Sequence, residues 1–167
     1  LFNQTRKVFF NEDVKPKAFT RQIAFNVIPK IDSFQPGGAT GEELKMVRET
    51  QKILAPDIAV TATCVRAPVF VGHAEAVNVE FAAPISAEEA RAALAGAEGV
   101  ELVDDPEADG YVTPVEAAGE PAVFVSRVRE DDTVPFGLNL WVVSDNLRKG
   151  AALNSVQIAE ALAERYL

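Results

Sequence analysis

The sequence is poor in the residue types from which many reactive sites are built: its 167 positions include one histidine, one cysteine, one methionine and one tryptophan. A single cysteine excludes an internal disulfide and fits a reducing, cytoplasmic home. One histidine and one cysteine cannot assemble a typical zinc site, and no metal-ligand spacing is present. No apolar run approaches the roughly 20 residues that cross a bilayer, so no membrane partner is expected. No charged segment followed by an apolar stretch marks a leader. Cations are outnumbered, 16 Lys and Arg against 25 Asp and Glu, for a net charge of −9. So acidic a chain repels phosphodiester backbones, which sets nucleic acid aside. An anionic substrate would need a local cluster of cations working against the overall field. A G-x-G-x-x-G dinucleotide fingerprint is also missing. The chain opens at Leu1 rather than Met, as expected of a piece of a longer protein.

What is present is an ordinary globular composition, 48% hydrophobic and 25% charged, in a chain long enough for one domain-sized core. Residues 1–22 read as an irregular arm with scattered aromatics. The apolar run 23–28, ended by Pro29, reads as a strand buried on both faces. Pro36, Gly37 and Gly38 mark a loop. Thr40 followed by Glu43 forms a capping box, and Leu44, Val47 and Leu54 carry a helix toward Pro56. Residues 58–65 are rich in β-branched side chains and read as a strand. Val77, Val79 and Phe81 alternate with polar residues, the period of a half-buried strand. Ser86 and Glu89 form a second capping box for a helix ending near Gly96. Residues 100–103, 123–128 and 138–143 are strand candidates around an acidic turn at 104–110, and 146–167 is helical with a stripe of Val156, Ala159, Leu162 and Ala163. Strict β-α-β alternation is absent. The expected fold is α+β, a mixed, largely antiparallel sheet with helices on one face.

Few residues could carry chemistry. His73, in Phe70-Val71-Gly72-His73, has the side chain best suited to acid/base work near neutrality, against the plainer reading of a half-buried structural histidine. Arg66 offers the planar fork that matches a carboxylate; otherwise it is a surface arginine in an ion pair. On one unbroken strand Arg66 and His73 would point to opposite faces, but Pro68 and Gly72 argue for a break that lets both reach one site. Cys64 lies in a β-rich run with no adjacent base and reads as an inert, packed thiol. Glu42 and Lys45 stand i, i+3 on the first capped helix, the spacing of a solvated ion pair. Arg148 and Lys149 after Asn146 put positive charge at a helix start, against the dipole, which points to an anion or acidic partner nearby.

Several ordered stretches resemble the C-terminal half of bacterial aspartate-semialdehyde dehydrogenases. They are Gln22-Ile23-Ala24-Phe25-Asn26-Val27-Ile28-Pro29, Glu42-Glu43-Leu44-Lys45-Met46-Val47, Thr63-Cys64-Val65-Arg66, Phe70-Val71-Gly72-His73 with Glu75-Ala76-Val77-Asn78, and Leu138 through Ala152. The resemblance implies a substrate-binding and dimerisation domain over 1–167, in which the terminal helix 146–167 packs on a missing dinucleotide-binding half. It implies an NADP-dependent enzyme that reversibly converts 4-aspartyl phosphate to L-aspartate 4-semialdehyde and phosphate through a cysteine acyl intermediate, a reaction that feeds lysine, threonine and methionine synthesis. It further implies a homodimer, or a tetramer built from it.

By that resemblance His73 is the acid/base residue, Arg66 and Glu42 grip the substrate's carboxylate and amine, Lys45 meets the phosphate, and Asn146 lies near the nicotinamide. The family's nucleophilic Asn-Cys segment and its glycine-rich loop have no counterpart in this sequence, so the chain by itself is expected to be inactive and Cys64 to be structural. Two other readings stand beside this one: a fragment of the related N-acetyl-glutamyl-phosphate reductase, which an amine-facing Glu42 disfavours, and a non-catalytic oligomerisation module.

Overall fold

The computed structural model describes residues 1–166 and divides into two compact units, Leu1–Phe70 and the part from Val71 onward. In the first unit, residues 1–22 are not wholly irregular: Phe2–Phe9 forms helix α1. The expected strand at 23–28 is instead a turn. Phe25 takes φ +57° and the Asn26 amide bonds back to the Ile23 carbonyl at 3.1 Å, a reversal that a ladder cannot absorb. Nor is the run buried on both faces as expected: Ile23, Ala24 and Ile28 are buried, but the turn leaves Phe25 and Val27 exposed. Its amides are served by a side chain, with Gln4 Oε1 accepting from Ile23 and Ala24 at 2.9 and 3.3 Å.

Helix α2, Gly41–Ile53, starts at the predicted capping box. The segment 58–65 also fails to become a strand. Its β-branched residues keep it out of a helix, but no ladder forms along it, and pairing begins only at a single bridge between Ile28 and Arg66. Side chains again stand in for a neighbouring strand: Gln51 Nε2 donates to the Ile58 carbonyl at 3.0 Å, and Glu43 Oε1 accepts from the Cys64 amide at 2.9 Å.

The second unit is built on four strands, β1 His73–Glu80, β2 Val100–Leu102, β3 Val123–Asp131 and β4 Gly137–Ser144, in the order β1-β4-β3-β2. β1 and β3 run antiparallel to β4 while β2 runs parallel to β3, the mixed and largely antiparallel sheet expected. Helix α3, Ala87–Ala95, places Ala90 and Leu94 against Val125, Val128, Leu138, Leu140 and Val142. The opposite face carries Phe124 and Val143, which pack with Val112, Ala122 and Ala117 of the short helix α4, Pro114–Ala117. Trp141 lies against this second cluster and donates its indole N–H to the Val112 carbonyl at 2.9 Å.

A bulge between Ser126 and Arg129, with Arg127 at φ +57°, is clamped by Asp104. That buried carboxylate accepts from the Arg127 and Val128 amides at 2.7 and 3.2 Å and from Arg91 Nε at 2.8 Å. Past β4 the chain makes a short π-helix, Arg148–Ala152, and ends in helix α5, Leu153–Tyr166, none of whose residues is buried. No helix among the described residues is long and apolar enough to cross a membrane.

Candidate functional site

The residues singled out from sequence fall into both units. In the first, Thr40 and Glu43 cap α2 so that Glu42 and Lys45 lie in its opening turns. Lys45 Nζ donates to Glu42 Oε1 at 3.3 Å, and both side chains are partly exposed. Such a pair contributes roughly a few tenths of a kcal/mol, so a ligand can open it at little cost.

Arg66 is held differently. Its backbone exchanges two hydrogen bonds with Ile28, at 3.0 and 2.9 Å. Its guanidinium lies 4.9 Å from the centre of the Phe19 ring, a cation–π contact. A cleft of about 140 Å³ opens beside it, lined by Ala18, Phe19, Thr20, Ile28, Lys30, Asp32 and Arg66. Phe19, Lys30 and Asp32 escaped sequence reasoning because nothing in local spacing connects them to Arg66.

Glu43 was read from sequence only as a cap, yet it does more. Its carboxylate accepts from the Thr40 amide at 2.7 Å and from the Cys64 amide at 2.9 Å. The Thr40 and Cys64 amides, in that order, hold its pKa below the 4.5 usual for glutamate. Cys64 is partly buried.

In the second unit, His73 is the first residue of β1, opposite Ser144 of β4, and is exposed. The break expected between Arg66 and His73 is present, since the ladder begins only at His73. Gly72 just before it has φ +102°, and a Cβ there would stand 3.2 Å from Pro114 Cβ, so both conformation and space favour glycine. The Gly72 amide donates to Asn146 Oδ1 at 3.0 Å. Asn146 thus anchors the backbone that leads into His73, and its side-chain NH₂ remains a donor of the kind a carboxamide oxygen would accept.

Asn146 is itself fixed by its neighbour. Asp145, buried, accepts from the Gly119 and Leu147 amides at 2.8 Å each and from the Arg148 amide at 3.2 Å. The Gly119 amide chiefly, with those of Leu147 and Arg148 and the Arg148 charge, holds its pKa below the usual 3.8. The basic spot noted in the sequence is held by neutral acceptors: the Arg148 guanidinium donates to the Gly119 carbonyl, and Lys149 Nζ donates to Gln157 Oε1 at 2.7 Å.

Comparison with known proteins agrees with this picture. Residues 1–149 match the family model described as semialdehyde dehydrogenase, dimerisation domain. Aspartate-semialdehyde dehydrogenase of Shewanella sp. (strain DB6705) is 52% identical over 168 residues, covering 99% of this chain and 49% of that protein. The crystal structure of aspartate semialdehyde dehydrogenase II of Vibrio cholerae complexed with ASA superposes with a TM-score of 0.92 at 50% identity, over 99% of this chain and 49% of that one. Aspartate semialdehyde dehydrogenase of Candida albicans, solved with NADP, gives 0.68 at 27% identity over 84% of this chain and 45% of its own. The chain therefore spans about half the length of the relatives it matches. With the mixed sheet, the capped α2 and the matched residues 1–149 in agreement, the chain belongs to the semialdehyde dehydrogenase dimerisation-domain family.

Proposed function

We propose that this chain is the substrate-binding and dimerisation part of an NADP-dependent aspartate-semialdehyde dehydrogenase, a cytoplasmic enzyme of lysine, threonine and methionine synthesis. The observation that carries the reading is the end-to-end likeness to the Vibrio cholerae enzyme, solved with ASA, at 50% identity. In the reductive direction such an enzyme converts 4-aspartyl phosphate to L-aspartate 4-semialdehyde and releases phosphate.

Each residue has a task suited to its surroundings. Arg66, beside the Phe19 ring, offers two parallel donors to the substrate α-carboxylate. Glu42 receives the substrate ammonium, and Lys45, released from Glu42, meets the phosphate. His73, exposed at the end of β1, takes the proton of an attacking thiol and returns it to the departing group. That thiol belongs to a cysteine outside this chain; Cys64, in a segment whose amide is tied to Glu43, serves structure.

Asn146 would hold a nicotinamide carboxamide through the side-chain NH₂ that its bond to Gly72 leaves over. When bound, the nicotinamide supplies the hydride. The terminal helix α5, exposed along its length, packs on the dinucleotide-binding half, and the chain pairs as a homodimer.

The test is an NADP-linked assay of the intact enzyme carrying this chain, with L-aspartate 4-semialdehyde and phosphate. Turnover there, and none with the N-acetylated glutamyl analogue, is the expected result. Turnover on the acetylated substrate alone would overturn the assignment. The isolated chain should show none.

A further inference from the structure

We infer that Glu43 is a positioning residue for this reaction: its carboxylate ties helix α2, which carries Glu42 and Lys45, to the extended segment that ends in Arg66, and so sets the spacing of the substrate-gripping groups. The inference rests on the dehydrogenase reading given above.

A capping box needs one carboxylate oxygen, and here Oε2 fills that role by accepting from the Thr40 amide at 2.7 Å. The other oxygen, Oε1, accepts at 2.9 Å from the amide of Cys64, 21 residues further on. Cys64 lies two residues before Arg66, in a segment with no ladder along it. Without a strand neighbour, that segment is held near its start by Gln51 at the Ile58 carbonyl, and near its end by the Ile28 bridge at Arg66 and the Glu43 carboxylate at Cys64. Arg66 is thus fixed at its own backbone and two residues before it. One of these two nearby ties is a side chain that sits between Glu42 and Lys45 in sequence and moves with their helix.

A glutamine at position 43 has a single acceptor oxygen and cannot serve both amides. An aspartate keeps the charge but is one methylene shorter. Recognition of a substrate carboxylate is sensitive to misplacement on the ångström scale, and losses of roughly ten- to a hundredfold follow from such shifts.

The experiment compares Glu43→Gln with Thr40→Ala in the intact enzyme. Thr40→Ala removes the capping hydroxyl but leaves both amide bonds to the Glu43 carboxylate. Steady-state kinetics are read together with hydrogen exchange at the Cys64 amide and the melting temperature. For Glu43→Gln we expect the KM for aspartate semialdehyde to rise about tenfold or more, the KM for NADP to hold, and exchange at Cys64 to quicken. Thr40→Ala should lower the melting temperature while leaving KM and Cys64 exchange near wild type. Should Glu43→Gln not fold, Glu43→Asp carries the same KM expectation.

An unchanged substrate KM in the Glu43 variants, or an equal rise in Thr40→Ala, would overturn the assignment. Wild-type enzyme that fails to turn over aspartate semialdehyde would sink the dehydrogenase reading and this inference with it. Wild-type turnover with an unaffected Glu43→Gln variant would sink this inference alone.

Discussion

His73 is exposed at the first position of β1, so replacing it removes chemistry and little packing. For His73→Asn in the intact enzyme, kcat should fall by about two to four orders of magnitude while the melting temperature stays within the small range typical of surface substitutions. Stopped-flow or steady-state assays beside a thermal melt check both halves, and a melt that falls in parallel with kcat would point to a structural histidine instead. At this scale motif order singled out His73, Arg66, Glu42, Lys45 and Asn146 as candidates only. The partners that hold them were not legible. Phe19 reaches Arg66 across 47 positions of chain and Asn146 reaches Gly72 across 74, distances over which no pattern in the letters speaks. Arg148 shows the same limit in reverse: its charge was visible, but that its guanidinium donates to the Gly119 carbonyl was not.

Helices were legible wherever their starts are local events. Both predicted capping boxes form, and the Thr113 amide bonds Glu116 at 2.7 Å at the head of α4, a third instance of the same spacing that was overlooked. The strands of the second unit were legible, β1 from its alternation and the other three as short apolar runs, whereas the runs at 23–28 and 58–65 misled. Apolar or β-branched composition gives an extended preference, but a ladder also needs a neighbour, and Gln4, Gln51 and Glu43 take that place.

The caps have a pH consequence. The carboxylates of Glu43, Glu89 and Glu116 all have pKa values below the ordinary 4.5, each chiefly through the backbone amide it caps. A carboxyl that ionises more readily when folded stabilises the native state above its unfolded pKa. That stability is lost as pH falls through the lower, folded value. Thermal melts should therefore be flat above about pH 5 and decline below it. Glu89→Gln should shallow the acid limb, and an acid limb identical to wild type would mean the cap contributes nothing. The Asp104 clamp on the β3 bulge is a different case, because the carboxylate is buried and serves three donors. Asp104→Ala should destabilise the fold by about 3 kcal/mol, measurable by denaturant titration.

On the scale of the whole chain, the exposed apolar side chains are the main fact to explain. Phe2, Phe9, Phe10 and Phe25 are exposed, and so are Val156, Ile158, Leu162 and Tyr166 of α5. Surface of this kind is commonly buried by association. We expect sedimentation equilibrium at micromolar concentration to return twice the chain mass; a monomer would overturn the dimer proposal. The fold class was readable because all four strands of the sheet lie in one stretch after residue 70. The division into two units was not, because no linker composition marks it.

The placement of Trp141 has a practical consequence. It is the sole tryptophan, and Tyr111 and Tyr166 are the only tyrosines, so every residue that emits strongly in the near ultraviolet lies beyond residue 70. Intrinsic fluorescence will follow the loosening of the sheet around the indole and its bond to Val112, while residues 1–70, with the Arg66 cleft, stay dark to it. A tryptophan introduced at Phe19, against the Arg66 guanidinium, would give that silent region an optical reporter beside the cleft.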